Sequence, residues 1–158
     1  MLRGNTAFLK GSIFTIGLTV LLLFIILLPH LADEAATLNP EFAYLKMPVL
    51  IGLYMTGVPF YIALYEAFKL LRYIELGSAF SKLAVNSLNG IKIAAVSIMF
   101  LYFMGMVVLA TQSALHPGIG LIGLIIIFAS LIITFFAAVL QQLLRSALEL
   151  KTENDLTV

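Results

Sequence analysis

Charge is scarce in this sequence: only 11% of its 158 residues are Asp, Glu, Lys or Arg, where an ordinary soluble domain carries about 25%. Cysteine is absent altogether, which excludes a disulfide, a thiolate zinc site and a cysteine nucleophile. Missing too are a phosphate-binding glycine loop, paired catalytic carboxylates, a GxSxG elbow, an HExxH helix and an EF-hand loop. What fills the chain instead is apolar, 62% of it, with a mean hydropathy of +1.11. A soluble globule of this size has too much surface to hide so many apolar side chains. A soluble enzyme domain, a disordered tail and a nucleic-acid-binding domain with a basic face are therefore excluded. A formal net charge of +1 selects no acidic partner. Only tails and loops remain outside the apolar stretches. The chain thus reads as non-enzymatic, without cofactor or metal, and with no direct contact to nucleic acid.

Long charge-free windows locate the membrane. A hydrocarbon core about 30 Å thick needs about 20 apolar residues in a helix. Such windows lie near 11–32 and from Met47 to Tyr65, where the helix runs on to give a span near 48–72, and no Lys, Arg, Asp or Glu occurs between Lys92 and Arg145. His116-Pro117-Gly118 breaks that last stretch, giving spans near 92–114 and 118–145. Runs this long and rich in Leu and Ile are helical, since a barrel would show short, strictly alternating segments. The expectation is an all-α fold: one integral membrane domain over 1–158, a bundle of four transmembrane helices. Pro29-His30-Leu31-Ala32-Asp33-Glu34 offers no small-x-small cleavage site after the first span, which reads as an uncleaved signal anchor.

Basic residues orient the bundle. Arg3 and Lys10 precede span one, Lys69, Arg72, Lys82 and Lys92 flank the second loop, and Arg145 and Lys151 follow span four. Eight of the nine basic residues thus fall on one side, the exception being Lys46. Both termini are expected in the cytoplasm.

In the first loop, Asn39-Pro40-Glu41 has the grammar of a helix start, a capping side chain followed by proline. It predicts a short helical turn over 41–46, with Phe42 and Tyr44 at headgroup depth and Pro48 opening span two. In the second loop, Gly77-Ser78 breaks the chain and Ser78 is the expected cap. Phe80, Leu83, Ala84, Leu88 and Ile91 then recur at helical spacing, opposite Ser81, Lys82, Asn86, Asn89 and Lys92. This is an amphipathic cytoplasmic segment feeding span three, with Gly90 as a kink. Its apolar face lies on the membrane or on span two, or else it docks a soluble partner. The tail from Lys151 reads as frayed beyond a helix ending near Glu149; its last three residues, Leu-Thr-Val158, also suit a carboxylate-binding pocket.

Isolated polar residues have modest readings. Glu66 lies about 27 Å along the helix from Pro48 and pairs with Lys69 as a boundary ion pair, rather than serving as a midplane relay. His30 and His116 sit at outer ends near Asp33, Glu34 and Glu41. They read as separate interfacial side chains; the alternative is a metal or pH site. Gly52 with Thr56, Ala63 with Ala67, Gly120 with Gly123, and Ala129-Ser130 suit close helix packing, within the bundle or between copies. Met99, Met104 and Met106 read as lipid-facing or gap-filling, and Gln141 and Gln142 as reached by water.

Several stretches resemble the DUF2975 family of small bacterial membrane proteins, in the Bacillus-type Gram-positive manner. They are Leu38-Asn-Pro-Glu-Phe-Ala-Tyr-Leu45, Pro48-Val-Leu-Ile-Gly-Leu-Tyr54, Pro59-Phe-Tyr-Ile-Ala-Leu-Tyr65 and Glu153-Asn-Asp-Leu-Thr157, with the Gly77-x-Ala79-Phe80-Ser81 loop. The resemblance implies the cytoplasmic membrane and, as partner, a small helix-turn-helix regulator of the Cro/CI type. No catalytic residue comes with it. The expected docking residues are Phe80, Lys82, Asn86 and Asn89, helped by the tail. The rival is an oligomeric transporter or exporter, or immunity against a membrane-active compound. Its discriminating feature is a polar or charged midplane residue, and the midplanes here carry only weakly polar candidates, Thr19, Gly57, Ser97, Ser130 and Thr134. A structural partner of a larger membrane complex is a third reading.

Overall fold

The computed structural model describes residues 2–157, and every regular element among them is helical. α1 (Leu2–Leu22) passes through a π-helical turn (Leu23–Leu27) into α2 (Leu28–Leu38), which makes one continuous rod. A 3₁₀ segment (Pro40–Leu45) leads to α3 (Lys46–Glu75), then come α4 (Lys82–Thr111) and α5 (Pro117–Leu156). Four rods, Arg3–Leu38, Pro40–Glu75, Lys82–Thr111 and Pro117–Leu156, are long and apolar enough to cross a membrane. At about 1.5 Å per residue all four exceed a hydrocarbon core of about 30 Å. Both ends of the described chain lie at one end of the molecule, called here the terminal end.

Short connections place successive helices side by side. α3 packs on α1, α4 on α3, and α5 on α4. α5 builds no substantial interface with α1 or α3. The expected bundle is therefore an open row of four. Its core lies in the first half of α4, where Ala84, Val85, Ser87, Leu88, Ala94 and Ala95 are buried. Also buried are Thr56 and Gly57 of α3, the latter under Phe24, and Gly123, Ser130, Ala137 and Gln141 of α5, Gly123 against Met106. Most of these residues are small because, in lipid, helices gain association from close contact rather than from hiding apolar area.

Helix ends differ from the sequence expectation at three places. Asn39 caps nothing with its side chain; its Nδ2 donates to the Ala35 carbonyl at 3.2 Å, so it closes α2 rather than opening the 3₁₀ turn. Ser78 is not the cap of the second loop. Gly77, at φ +73°, ends α3, with its own N–H on Ile74 and that of Ser78 on Tyr73, the paired bonds of a left-handed helix stop. That turn delays the next helix by three residues, and Ser81 caps α4 by accepting from the Ala84 N–H at 3.3 Å. Gly90 does not interrupt α4, which is helical throughout. The tail also differs, since α5 is helical to Leu156, with Val158 outside the described residues. Gln112–His116 repeats the stop of α3 with Ser113 at φ 55°. The His116 Nδ1 then accepts from the Gly118 N–H at 3.0 Å, so His116 is the cap of α5.

Candidate functional site

Polar side chains concentrate at the terminal end, and there the structure divides the expected docking residues. Lys82, Asn86 and Asn89 lie at i, i+4 and i+7 on one face of α4. Lys82 and Asn86 are exposed and Asn89 is half-buried. Phe80 precedes the helix at 58% exposure and Leu83 follows on its first turn at 56%. The rest of the amphipathic pattern is used inside the protein: Ala84 and Leu88 are buried, as is neighbouring Val85, and Ile91 is half-buried. Of the apolar face read from the sequence, then, Phe80 and Leu83 remain for an outside partner.

Behind this surface lies a buried polar link that the spacing did not disclose. Gln141 is buried rather than wet; its Oε1 accepts from the Lys92 ammonium at 2.9 Å, and its Nε2 faces the Val85 carbonyl at 3.5 Å. Lys92 is thereby held at the α4–α5 contact instead of extending freely to water. The signal was available in principle, because an amide amid apolar residues needs a partner. A single sequence does not say which helix supplies it.

Glu66 and Lys69 pair as expected, at 3.0 Å. Glu66 is nevertheless more enclosed than a boundary side chain: its Cγ lies where a Cβ on Gly90 would be only 2.8 Å away. Gly90 is thus a seat for the Glu66 side chain at the α3–α4 contact. Ser87, one turn earlier on the same face of α4, is 1% exposed.

α1 is tied down differently. Lys10 pairs with Glu75 and lies 5.3 Å from the centre of the Phe68 ring, and Phe14 meets Phe68 edge-on. The hydrogen bond from Lys10, then one from Thr6, holds the Glu75 carboxyl below the usual carboxylate range despite some desolvation. Deeper in, Tyr61 donates to the Gly17 carbonyl at 2.7 Å and Tyr54 to the Phe24 carbonyl at 2.8 Å. Phe24 belongs to the π turn, which no sequence signal announced. Its ring occupies the space a side chain on Gly57 would need, only 2.5 Å from an added Cβ. An open groove of about 540 Å³ remains between Phe24 and the tyrosines of α3.

The other singled-out residues are placed as follows. His30 is exposed on α2. Among the described residues no group of three His, Cys, Asp or Glu side chains gathers as metal ligands. Gly123 receives the Met106 sulfur, so that methionine is a gap-filler, whereas Met104 is 43% exposed. Gly52 has nothing within 4 Å of an added Cβ and makes no close approach.

Comparison with known proteins agrees with this architecture. The family "Protein of unknown function (DUF2975)" matches residues 30–158. A Bacillus subtilis (strain 168) protein, "Uncharacterized membrane protein YoaS", is 51% identical over 160 residues, covering all of both chains. No solved structure matches.

Proposed function

This chain belongs to the DUF2975 family, and we propose that it is a non-enzymatic membrane protein that holds a small cytosolic regulator at its terminal end. The observation that carries this reading is the pair Phe80 and Leu83, both more than half exposed beside Lys82 and Asn86. This pair sits about 15 Å along α4 beyond Lys92, past the hydrocarbon. Large apolar side chains exposed to water and rimmed by polar ones are the usual mark of a protein contact. Eight of nine basic residues lie at that end or in the loop there, which supports a cytoplasmic position. The family resemblance supplies the partner class, a small helix-turn-helix protein of the Cro/CI type. Retention and release would then be linked to packing inside the membrane, because a partner that prefers one packing is released by whatever favours another.

The test is affinity capture of the tagged protein from gently crosslinked native membranes, followed by mass spectrometry. A small DNA-binding protein should be recovered. Recovery should drop about tenfold, the equivalent of about 1.4 kcal/mol, when Lys82→Glu, Asn86→Ala and Asn89→Ala are combined, with membrane insertion unchanged. Unchanged recovery removes this surface from consideration. Recovery of the chain alone moves the balance to the oligomeric transporter.

A further inference from the structure

The groove between α1 and α3 lies away from the docking surface and has a chemistry of its own. Its wall is a stripe of α3 carrying Tyr54, Tyr61, Ile62 and Tyr65, faced by Phe24. The hydroxyls of Tyr54 and Tyr61 are consumed by the Phe24 and Gly17 carbonyls, so what those rings present outward is apolar. From Tyr65 to Tyr54 the stripe runs about 16 Å along the helix axis, close to the depth of one leaflet, about 15 Å. The volume of 540 Å³ holds about 18 methylene-sized groups, taking about 30 Å³ each as for a water molecule. A helix about 10 Å across would need more than twice that space over the same length.

Charge completes the description. On the face that carries Tyr65, Lys69 and Arg72 follow at i+4 and i+7. The Lys69 ammonium lies 5.2 Å from the Tyr65 ring centre. One of its protons goes to Glu66, and its side chain is 32% exposed. Arg72 is exposed and, among the described residues, stands in no ion pair. A cationic pair thus heads an apolar groove of acyl-chain dimensions that opens to lipid, with Val58 beside it 62% exposed.

We propose that this groove seats one anionic glycerophospholipid, its phosphate at Arg72 and Lys69 and one acyl chain along the tyrosine stripe. The site is independent of the partner held at the terminal end. Bound there, the lipid fills the gap between α1 and α3 that the two helices leave open.

The test uses the full chain in nanodiscs of equal parts phosphatidylglycerol and phosphatidylcholine, with native mass spectrometry of the lipids it retains on release. One phosphatidylglycerol per chain should be kept in preference to phosphatidylcholine. Arg72→Gln should lower that retention about fivefold, as one lost contact to an anionic headgroup would. Val58→Phe, at an exposed position that does not support the fold, should lower it too by plugging the groove, whereas Arg145→Gln should leave it unchanged. Equal retention of both lipids overturns the proposal. So does a loss with Arg145→Gln equal to that with Arg72→Gln, or full retention with Val58→Phe.

Discussion

α4 and α1 are both apolar rods of membrane-spanning length, yet they are held in opposite ways. α4 lies between α3 and α5 and brings small residues to both: Ala84, Ser87, Ala94 and Ala95 are buried, and Gly90 admits Glu66. Among the long helices α1 builds a substantial interface with α3 alone. None of the residues in its most apolar window is buried. It hangs on side chains that reach across a gap, two tyrosine hydroxyls, one ion pair and the Phe24 ring. Lipid offers no hydrophobic drive between helices, so contact and hydrogen bonding are what remain. Where small residues let backbones approach, a core forms; where long side chains bridge, a groove is left. The row is thus a three-helix core, α3–α4–α5, with a helix leaning on it.

Four substitutions or conditions would sharpen or break that contrast. The largest effect is expected at Gly90. Gly90→Val drives a branched side chain into Glu66, and overpacking of this kind costs about 2 kcal/mol. Unfolding in mixed detergent micelles should shift by that amount, and an unshifted midpoint would mean that α3 and α4 are not in close contact. Next is Gln141→Leu, which strands the Lys92 ammonium at the α4–α5 contact. Losses from unsatisfied buried donors and from membrane hydrogen bonds suggest about 1–2 kcal/mol in the same assay. Tyr61→Phe removes a single hydroxyl bond to α1 and should cost only about 0.6 kcal/mol. Because the chain has no cysteine, a pair introduced at Gly17 and Leu64, where an added Cβ on Gly17 would meet the Leu64 side chain at 3.4 Å, would be unique to the α1–α3 contact. Tyr61→Phe should slow its disulfide trapping, while a pair across α4 and α5 is unaffected.

The smallest effect is that of pH on the Lys10–Glu75 tie. The folded carboxyl titrates below its ordinary value, so its contribution is present above the unfolded value and is lost as pH falls through the folded one. Crosslinking between the start of α1 and the end of α3 should therefore weaken on acidification below the usual carboxylate range. Glu75→Gln should abolish that dependence. A tie indifferent to that acidification would contradict the assignment.

What the sequence disclosed and what it withheld divide along the same physical line. Spans followed from the length of charge-free windows, which the bilayer fixes. The boundary pair Glu66–Lys69 and the turn after Pro40 followed from local spacing. What depended on the neighbouring helix was illegible. Gly90 read as a kink because a single glycine does not say that Glu66 fills its space. Gln141 read as wet because nothing local names Lys92 as its partner. The π turn at Leu23–Leu27 lies in a run of Leu, Phe and Ile without any local signal. Tyr54, which meets it, was visible only as part of an apolar span. Of the proposed docking residues, Lys82 and Asn86 are exposed, whereas Ala84 and Leu88 of the supposed apolar face are buried in the core. That loss arises because α4 packs between α3 and α5, and the spacing within one helix does not say which of its faces the neighbours cover.

The proposed role rests on the exposed first turns of α4 contacting a soluble protein, and a photo-crosslinking amino acid at Asn86 reads this contact directly in living cells. Adducts to a small DNA-binding protein at position 86, and none from the same probe at lipid-facing Ile122, are the expected result. Adducts at position 86 to lipid or to further copies of the chain alone would contradict it.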